Sequence, residues 1–394
     1  MKLRSKLKLS TGMILMGVAG LAVNNASAAD KELLDILKSN GAITEKQYTE
    51  LLNKGKESDE ALKKMAWARR IKIKGDLRLR QEFVDINGKR DEDRQRYRAR
   101  IGIDAKVTET VDASIRLASG SSDGSTSTNE TMGDAYKKDS IWLDRAYLNW
   151  RPLAGVDIFG GKMKQPWEKA GDIIWDNDIN PEGAAIKYST KLGSTDLIAS
   201  AGYLVLNDND GLRFDEDSKV IYGQLNSKFN LGSAKASLGA TVYDYSNENL
   251  VVGTIVDDGN DTTKFSLYEL FGAVTLKTPI PVKLYGQYVK NSDADGINDG
   301  EDTAWLLGMS TKYDKWKFDY NYRDTELNAV SGEFNDSDFA GGETDSEGHK
   351  FKLGYKIDKN FGVGLTYYMA ETNSLAETPN SDIDTLHIDL KAKF

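Results

Sequence analysis

The stretch RYRARIGIDAKV, residues 96–107, alternates between apolar and charged side chains. The apolar side chains occupy the odd positions: Tyr97, Ala99, Ile101, Ile103, Ala105 and Val107. The even positions carry Arg96, Arg98, Arg100, Asp104 and Lys106. Because successive side chains of a β-strand point to opposite faces, this pattern predicts a strand with one apolar face and one charged face.

The same two-residue period continues from Ile71 to the end of the chain and divides it into sixteen segments. Most are near the length that a tilted strand needs to cross a bilayer. The connections alternate between short turns, such as PLAG at 152–155, and long acidic loops, such as NSDADGINDGED at 291–302. This alternation is typical of membrane barrels. We therefore predict an all-β transmembrane barrel of sixteen antiparallel strands over residues 70–394, with apolar faces toward lipid and charged faces toward water.

A large soluble β-domain is the alternative fold. Its apolar faces would need a second sheet to cover them, and its outward faces would rarely carry so many Arg and Lys side chains. In a membrane barrel, by contrast, a one-residue slip of residues 96–104 would place Arg98 or Arg100 on lipid, at a cost of about 2 to 4 kcal/mol each near the midplane. The pattern therefore favours a barrel with a strongly fixed register.

The N-terminal residues have a different character. Lys2, Arg4, Lys6 and Lys8 precede the apolar run GMILMGVAGLAV and then Ala26-Ser27-Ala28, which is typical of a secretory signal peptide. We expect residues 1–28 to be removed on export, the alternative being an uncleaved anchor helix. The formal net charge is −9, and loss of those four cations would make it −13. An acidic chain argues against nucleic acid as a partner, and the absence of cysteine excludes disulfides and thiolate sites.

Residues 29–69 are predicted to form a short periplasmic helical segment. Leucines at helical spacing, positions 33, 34, 37, 51 and 52, lie on both sides of Asn40-Gly41, and Thr44 with Gln47 matches a capping box. The segment is too small to hold a core alone. Its apolar stripe is therefore expected to contact a periplasmic partner, a second copy or the barrel, unless it is a loose amphipathic leader.

Together with this layout, the stretches LDRAYLNWRP at 143–152 and IFGGKMKQPW at 158–167 and the terminal Phe394 resemble the putative porin family of Gram-negative outer membranes, itself similar to the phosphate-selective porins O and P. The resemblance covers residues 29–394 and rests on layout. It implies a homotrimer of water-filled channels in outer-membrane lipid that passes small hydrophilic solutes. It also implies a terminal phenylalanine read by the assembly machinery, and one long loop folded into each pore.

The predicted register assigns basic side chains to the water-facing wall. They are Arg78, Arg80, Arg96, Arg98, Arg100, Arg116, Arg145, Arg151, Lys187 and Lys228. This wall is either an anion-attracting path or a hydrated and partly neutralised surface, and the acidic outer loops argue against strong anion selectivity.

The best candidate for a constriction loop is QPWEKAGDIIWDNDINPEG, residues 165–183. Trp167 and Trp175 are side chains that an exposed loop seldom displays, so we expect them to pack inside the barrel or, alternatively, at a subunit interface. Asp172, Asp176 and Asp178 would then face the basic wall.

The loop at 291–302 approaches the spacing of a twelve-residue calcium loop through Asp293, Asp295, Asp299 and Asp302. It departs at the first position, which is Asn, and at the last, where a bidentate Glu is expected, so a solvated loop is the main alternative. No other metal site and no cofactor is predicted. The two histidines, His349 and His387, form no nucleophile-base arrangement, so no enzyme is predicted. A diffusion porin, a substrate-specific channel such as an anion channel, and a structural protein tethered through its helices remain open.

Overall fold

The computed structural model describes residues 26–64, 67–87, 91–121, 124–208, 217–246, 260–295, 297–373 and 381–394. Most of the predicted signal peptide, residues 1–25, lies outside the described residues, as does the acidic stretch 209–216. The chain divides into two units, Met1–Arg69 and Arg70–Phe394.

The first unit is a helical hairpin of α1 (Ala26–Ser39) and α2 (Glu45–Lys64), followed by a 3-10 turn at Ala68–Arg70. The predicted capping box is present: the Thr44 amide donates to Gln47 Oε1 at 2.9 Å, and the Gln47 amide donates to Thr44 Oγ1 at 3.3 Å. Tyr48 Oη donates to Asp35 at 2.6 Å and joins the two helices. None of the helices in the described ranges is long and apolar enough to cross a membrane.

The second unit is a single antiparallel sheet of seventeen strands. They are β1 (Ile71–Ile86), β2 (Glu92–Lys106), β3 (Val111–Ala118), β4 (Glu130–Thr131), β5 (Trp142–Trp150), β6 (Val156–Lys162), β7 (Glu182–Leu192), β8 (Thr195–Asn207), β9 (Ser218–Leu231), β10 (Ala234–Ser246), β11 (Ser266–Leu276), β12 (Val282–Asn291), β13 (Thr303–Tyr313), β14 (Trp316–Thr325), β15 (Ser346–Lys356), β16 (Phe361–Thr372) and β17 (Ser381–Lys393). The two-residue β4 pairs with the part of β2 that extends beyond β3. The other sixteen strands form the wall, which confirms the predicted strand number.

The sheet closes on itself because β1 pairs with β17 as well as with β2. Beyond the last strand, the Gly75 amide donates to the Phe394 carbonyl at 2.9 Å and the Phe394 amide donates back to Gly75 at 3.0 Å. Closure pairs the backbone groups of every wall strand on both sides, which a barrel in hydrocarbon requires.

The outward-facing side chains of the wall strands are mainly apolar, as predicted. On β2, Ile101 and Ile103 are exposed, whereas the inward Arg78, Arg80 and Glu82 of β1 are 8, 5 and 2% exposed. Both chain ends of the barrel lie on the side of the short turns, here called the short-turn end; the opposite side is the long-loop end. The register therefore turns the charged side chains of these strands toward the enclosed space.

Candidate functional site

The inner wall of the first hairpin is lined with arginines held by carboxylates. Arg78 lies opposite Arg98 in the β1–β2 register, an arrangement in which like charges repel. Asp76 accepts hydrogen bonds from Arg98 and Arg100, each at 2.8 Å, and the Arg78 guanidinium donates to Asn129. The arginines of the predicted ladder on β1 and β2 thus lie next to one another on the inner wall, and Arg98 and Arg100 are paired with a carboxylate.

A second group of the same wall centres on two further carboxylates. Arg80 Nε donates to Asp389 at 2.8 Å, and Arg94 and Arg96 both contact Glu82. These side chains sit on β1, β2 and β17, so the group crosses the seam at which the barrel closes.

The segment 163–181, here called the first inner loop, folds into the barrel. The rings of Trp167 and Trp175 lie 5.3 Å apart, Trp167 lies 5.1 Å from Tyr222, and Trp175 lies 5.9 Å from Tyr243. Trp167 and Trp175 are 6 and 3% exposed. Both tryptophans are therefore buried against the inner wall of their own barrel rather than displayed outward.

This loop packs on a part of the inner wall that is apolar, which the sequence interpretation did not foresee. The wall residues of the cluster are Leu204, Val220, Tyr222, Tyr243, Tyr245, Phe265, Leu267, Val289, Ala304 and Leu306. They belong to the inward parity of β8 to β13 and the residue preceding β11. The expectation that the inner face is polar throughout is wrong on this side, because the docked loop replaces water there.

Acidic side chains of the first inner loop point across the lumen at the basic wall. Asp178 lies 3.1 Å from Arg100, and Asp172 lies 2.6 Å from Arg323 and 3.0 Å from Lys350. Burial would raise the pKa of Asp172, but Lys350 and Arg323 hold it well below its usual range. Asp172 therefore acts as a fixed anion facing the wall.

Asp176 behaves differently. Burial, with the neighbouring Asp336, raises the pKa of Asp176 to about 8. Its carboxyl accepts the amides of Asp178 at 2.7 Å and of Ser337 at 3.2 Å. Asp176 thus joins the first inner loop to the segment that contains Ser337.

That segment, residues 326–345, is a second inner loop. Its sequence has the acidic, glycine-rich character of the long loops that are expected to lie outside the barrel, and the family resemblance implied a single inserted loop; the structure corrects both expectations. Asp336 lies 2.6 Å from Lys350 and 3.3 Å from Arg323, and Asp338 lies 3.3 Å from Arg80. The loop is held because its carboxylates neutralise buried wall cations that would otherwise be costly.

Between the wall and the two inner loops lies a polar cavity of about 130 Å³. Its six cations are Arg78, Arg80, Arg98, Lys350, Lys352 and Lys391, and its six carboxylates are Asp172, Asp176, Asp178, Asp336, Asp338 and Asp389. Cations and carboxyl groups are equal in number, but Asp176, with its raised pKa of about 8, holds a proton at neutral pH, and the two signs are separated across the cavity. This separation creates a transverse field between the wall and the two inner loops.

Comparison with protein families gives a match to the family described as "Putative porin" over residues 83–268 and 262–394. The chain belongs to the putative porin family. The family and the barrel fold indicate an outer-membrane channel rather than an enzyme. No curated protein matches the chain in sequence.

Among solved structures, the porin is similar to mutants of the Rhodopseudomonas blastica porin. A mutant with five substitutions matches at 10% identity and a TM-score of 0.47, covering 82% of this chain and 100% of that one. A triple mutant matches at 10% identity and a TM-score of 0.47, with the same coverage.

The remaining predicted wall residues of the porin lie outside the arginine ladder. A β-bulge between β3 and β5 turns both Asp144 and Arg145 inward, where Asp144 pairs with Arg116 and Arg145 Nε donates to Asn180 at 2.5 Å. Arg151, in the turn after β5, pairs with Asp112 at 2.6 Å at the short-turn end.

Lys187 and Lys228 both hold Glu168 of the first inner loop at 2.7 Å. Both are inner-wall side chains, on β7 and β9. They fix the start of the loop on the wall side opposite the arginines, so the loop is held by ion pairs at both of its ends.

The predicted cation loop of the porin is occupied by internal pairs. Asp295 lies 2.8 Å from Lys264, and Asp302 lies 2.8 Å from Lys290. Within the described ranges, Glu82, Asp338 and His387 are the one group of three carboxylate or imidazole ligands that converge, to within 4.8 Å. Arg80 Nη1 lies 3.7, 3.3 and 3.4 Å from these three side chains, so a guanidinium already occupies the place of a cation.

Proposed function

We propose that this porin is a channel for passive diffusion of small hydrophilic solutes and ions across the outer membrane. The observation that carries the proposal is the polar cavity between a basic wall and two acidic inner loops inside the closed barrel. Diffusion pores select by width and by rings of charge. The proposal includes no catalytic step.

Weak ion selectivity follows from the near balance of charges in this cavity. Six cations face six carboxyl groups there, and Arg80 and Arg98 are already bonded to a carboxylate. A nearly neutral set of charges with separated signs orients dipolar solutes without strongly favouring one sign of ion.

Bilayer recording tests the proposal. Purified porin in a planar membrane should give stepwise, ohmic currents, and a salt gradient should give a reversal potential near zero. If the protein gives no current although its heat-modifiable migration in gels shows that it is folded, the result would favour the alternative, a structural protein tethered through the helices α1 and α2.

A substrate-specific anion channel is a second candidate, supported by lysines toward the short-turn end. Lys235, Lys283, Lys317 and Lys352 line two adjoining cavities of about 590 and 270 Å³, and within the described residues none of them pairs with a carboxylate. A kinship with the phosphate-selective porins O and P would fit this lining. Small conductance blocked by inorganic phosphate, but not by a matched cation, would favour this candidate.

We further propose that residues 1–28 act as an export signal and that three copies form the working unit. Cross-linking in outer-membrane preparations should give a trimer band, and the mature chain should begin near Ala29. A monomer after cross-linking at several reagent concentrations would contradict the assembly.

A further inference from the structure

His387 is a buried histidine on the inner face of β17, and the proposed diffusion path gives it no role. It is 1% exposed. Its Nε2 lies 3.2 Å from Glu82 on β1, and its Nδ1 lies 3.9 Å from Asp338 on the second inner loop. Nδ1 has no hydrogen-bond partner among the described residues. The imidazole thus stands between the fixed wall and the loop.

Charged and titratable groups surround this ring on every packed element. The direct neighbours are Arg80 and Glu82 of β1, Asp338 of the loop, and Tyr368 of β16, whose ring lies 5.4 Å from the imidazole. Further charges lie one residue away: Arg94 and Arg96 of β2 contact Glu82, and Asp389 of β17 contacts Arg80. Burial would raise the pKa of Asp338, but Arg80 and His387 hold it well below its usual range, so it remains an anion at mild acidity. Among these groups, histidine is the one whose charge ordinarily changes between pH 5 and 8.

The chemistry of imidazole makes this position sensitive to a proton. A neutral ring carries one N–H and can serve one of the two carboxylates, whereas an imidazolium carries two N–H groups and can serve both. Protonation would give Nδ1 a hydrogen to direct at Asp338 and add a positive charge between two anions. Hydrogen bonds to charged groups are the stronger ones, so the protonated ring would hold the loop more tightly.

We propose that His387 is a proton-sensitive latch for the second inner loop: protonation holds residues 326–345 against the wall, and deprotonation loosens them. The latch borders a cavity of about 360 Å³ at the long-loop end, lined by Glu82, Arg96, Asp338, Ala340 and His387. Loosening would widen this entrance. The consequence for permeation rests on the proposed channel function, but the movement of the loop does not.

The chain has no cysteine, so a single introduced thiol can report loop opening. Ala340 is 1% exposed and packs with Phe339 and Tyr368 beside the latch. An Ala340→Cys variant should react with an impermeant maleimide only when the loop opens. Gly300→Cys, where a new Cβ meets nothing within 4 Å, supplies the matched exposed thiol that corrects for the intrinsic effect of pH on the reagent.

We expect labelling of Ala340→Cys, relative to Gly300→Cys, to be about tenfold slower at pH 5.5 than at pH 7.5, the scale of one hydrogen bond to a charged group. All variants carry Asp176→Asn, because Asp176 also touches this loop and its raised pKa of about 8 would by itself weaken docking between these two pH values. Adding His387→Gln should abolish the pH dependence. Asp338→Asn, which leaves the wall intact, should do the same.

A relative labelling rate that does not change with pH in the parent would overturn the latch, as would a pH dependence that survives both substitutions. Folding of each variant is checked by heat-modifiable migration. Since labelling needs no current, a silent bilayer with pH-dependent labelling would reject the channel and keep the latch. Ohmic currents with pH-independent labelling would support the channel and reject the latch.

Discussion

Replacing Trp175 by alanine tests whether the inner loops narrow the barrel. The Trp175 ring lies 5.3 Å from Trp167 of the same loop and 5.4 Å from Phe334 of the second inner loop, so one side chain packs on both loops. Truncating a buried tryptophan costs about 3 to 5 kcal/mol. Because the strand hydrogen bonds are untouched, this cost falls on docking of the loops rather than on the barrel.

An equilibrium changes tenfold for every 1.4 kcal/mol, so the undocked fraction should rise roughly 100- to 4,000-fold. Single-channel recordings of Trp175→Ala should show larger and noisier conductance, and limited proteolysis should cut within the inner loops sooner. Trp316→Ala is the matched control, because Trp316 is 48% exposed on the outer face, with its ring 4.6 Å from Tyr355. Parent-like conductance together with parent-like protease protection in Trp175→Ala would refute the docking argument.

Three further predictions follow from the wall and its loops. Replacing Arg98 and Arg100 by glutamine should move the reversal potential in a salt gradient toward cation preference, and an unchanged potential would remove both from the ion path. Burial raises the pKa of Asp176 to about 8 in the docked state, so the docked loops bind a proton that the undocked loops release. Docking is therefore strongest below the ordinary aspartate pKa and weakens as the pH rises through 8. We expect proteolysis of the parent to increase between pH 7 and 9.5, and Asp176→Asn to remove this increase. Gly183 has φ +137°, and a Cβ there would lie 2.1 Å from a backbone oxygen of β8. Gly183→Ala should therefore destabilise the barrel by about 1 to 3 kcal/mol, measured as a lower temperature of heat modification. An unchanged temperature would show that the strand relaxes.

The barrel could be predicted from the sequence because the alternation of apolar and charged residues within a strand shows which side chains face lipid. In β2, moving Arg98 to the outer face would place a guanidinium in hydrocarbon, so the alternation at 96–107 admits one orientation. The capping box of Thr44 and Gln47 was likewise readable, since it depends on two residues three positions apart. Local periodicity and local pairing are visible in a sequence without knowledge of the fold.

The second inner loop could not be predicted in this way. Asp336 and Asp338 look like the acidic residues of any solvated loop, and the wall side chain that Asp338 contacts, Arg80, lies 258 positions away. One signal was present: Val220, Tyr222, Tyr243 and similar residues place apolar groups on the inward parity of β9 and β10. Such positions on a wetted wall would be unfavourable, so they indicate that something covers them.

The distribution of charge between wall and loops couples the width of the passage to its selectivity. All six cations of the central cavity lie on wall strands, whereas five of its six carboxylates lie on the two inner loops; Asp389 alone is on the wall. When the loops are docked the field is transverse and the net charge is small. When they leave, the carboxylates leave with them, and the wall keeps an excess of guanidinium and ammonium groups in water. A state widened by loop movement must therefore attract anions more strongly than the narrow state, because the same residues provide both the obstruction and the neutralising charge.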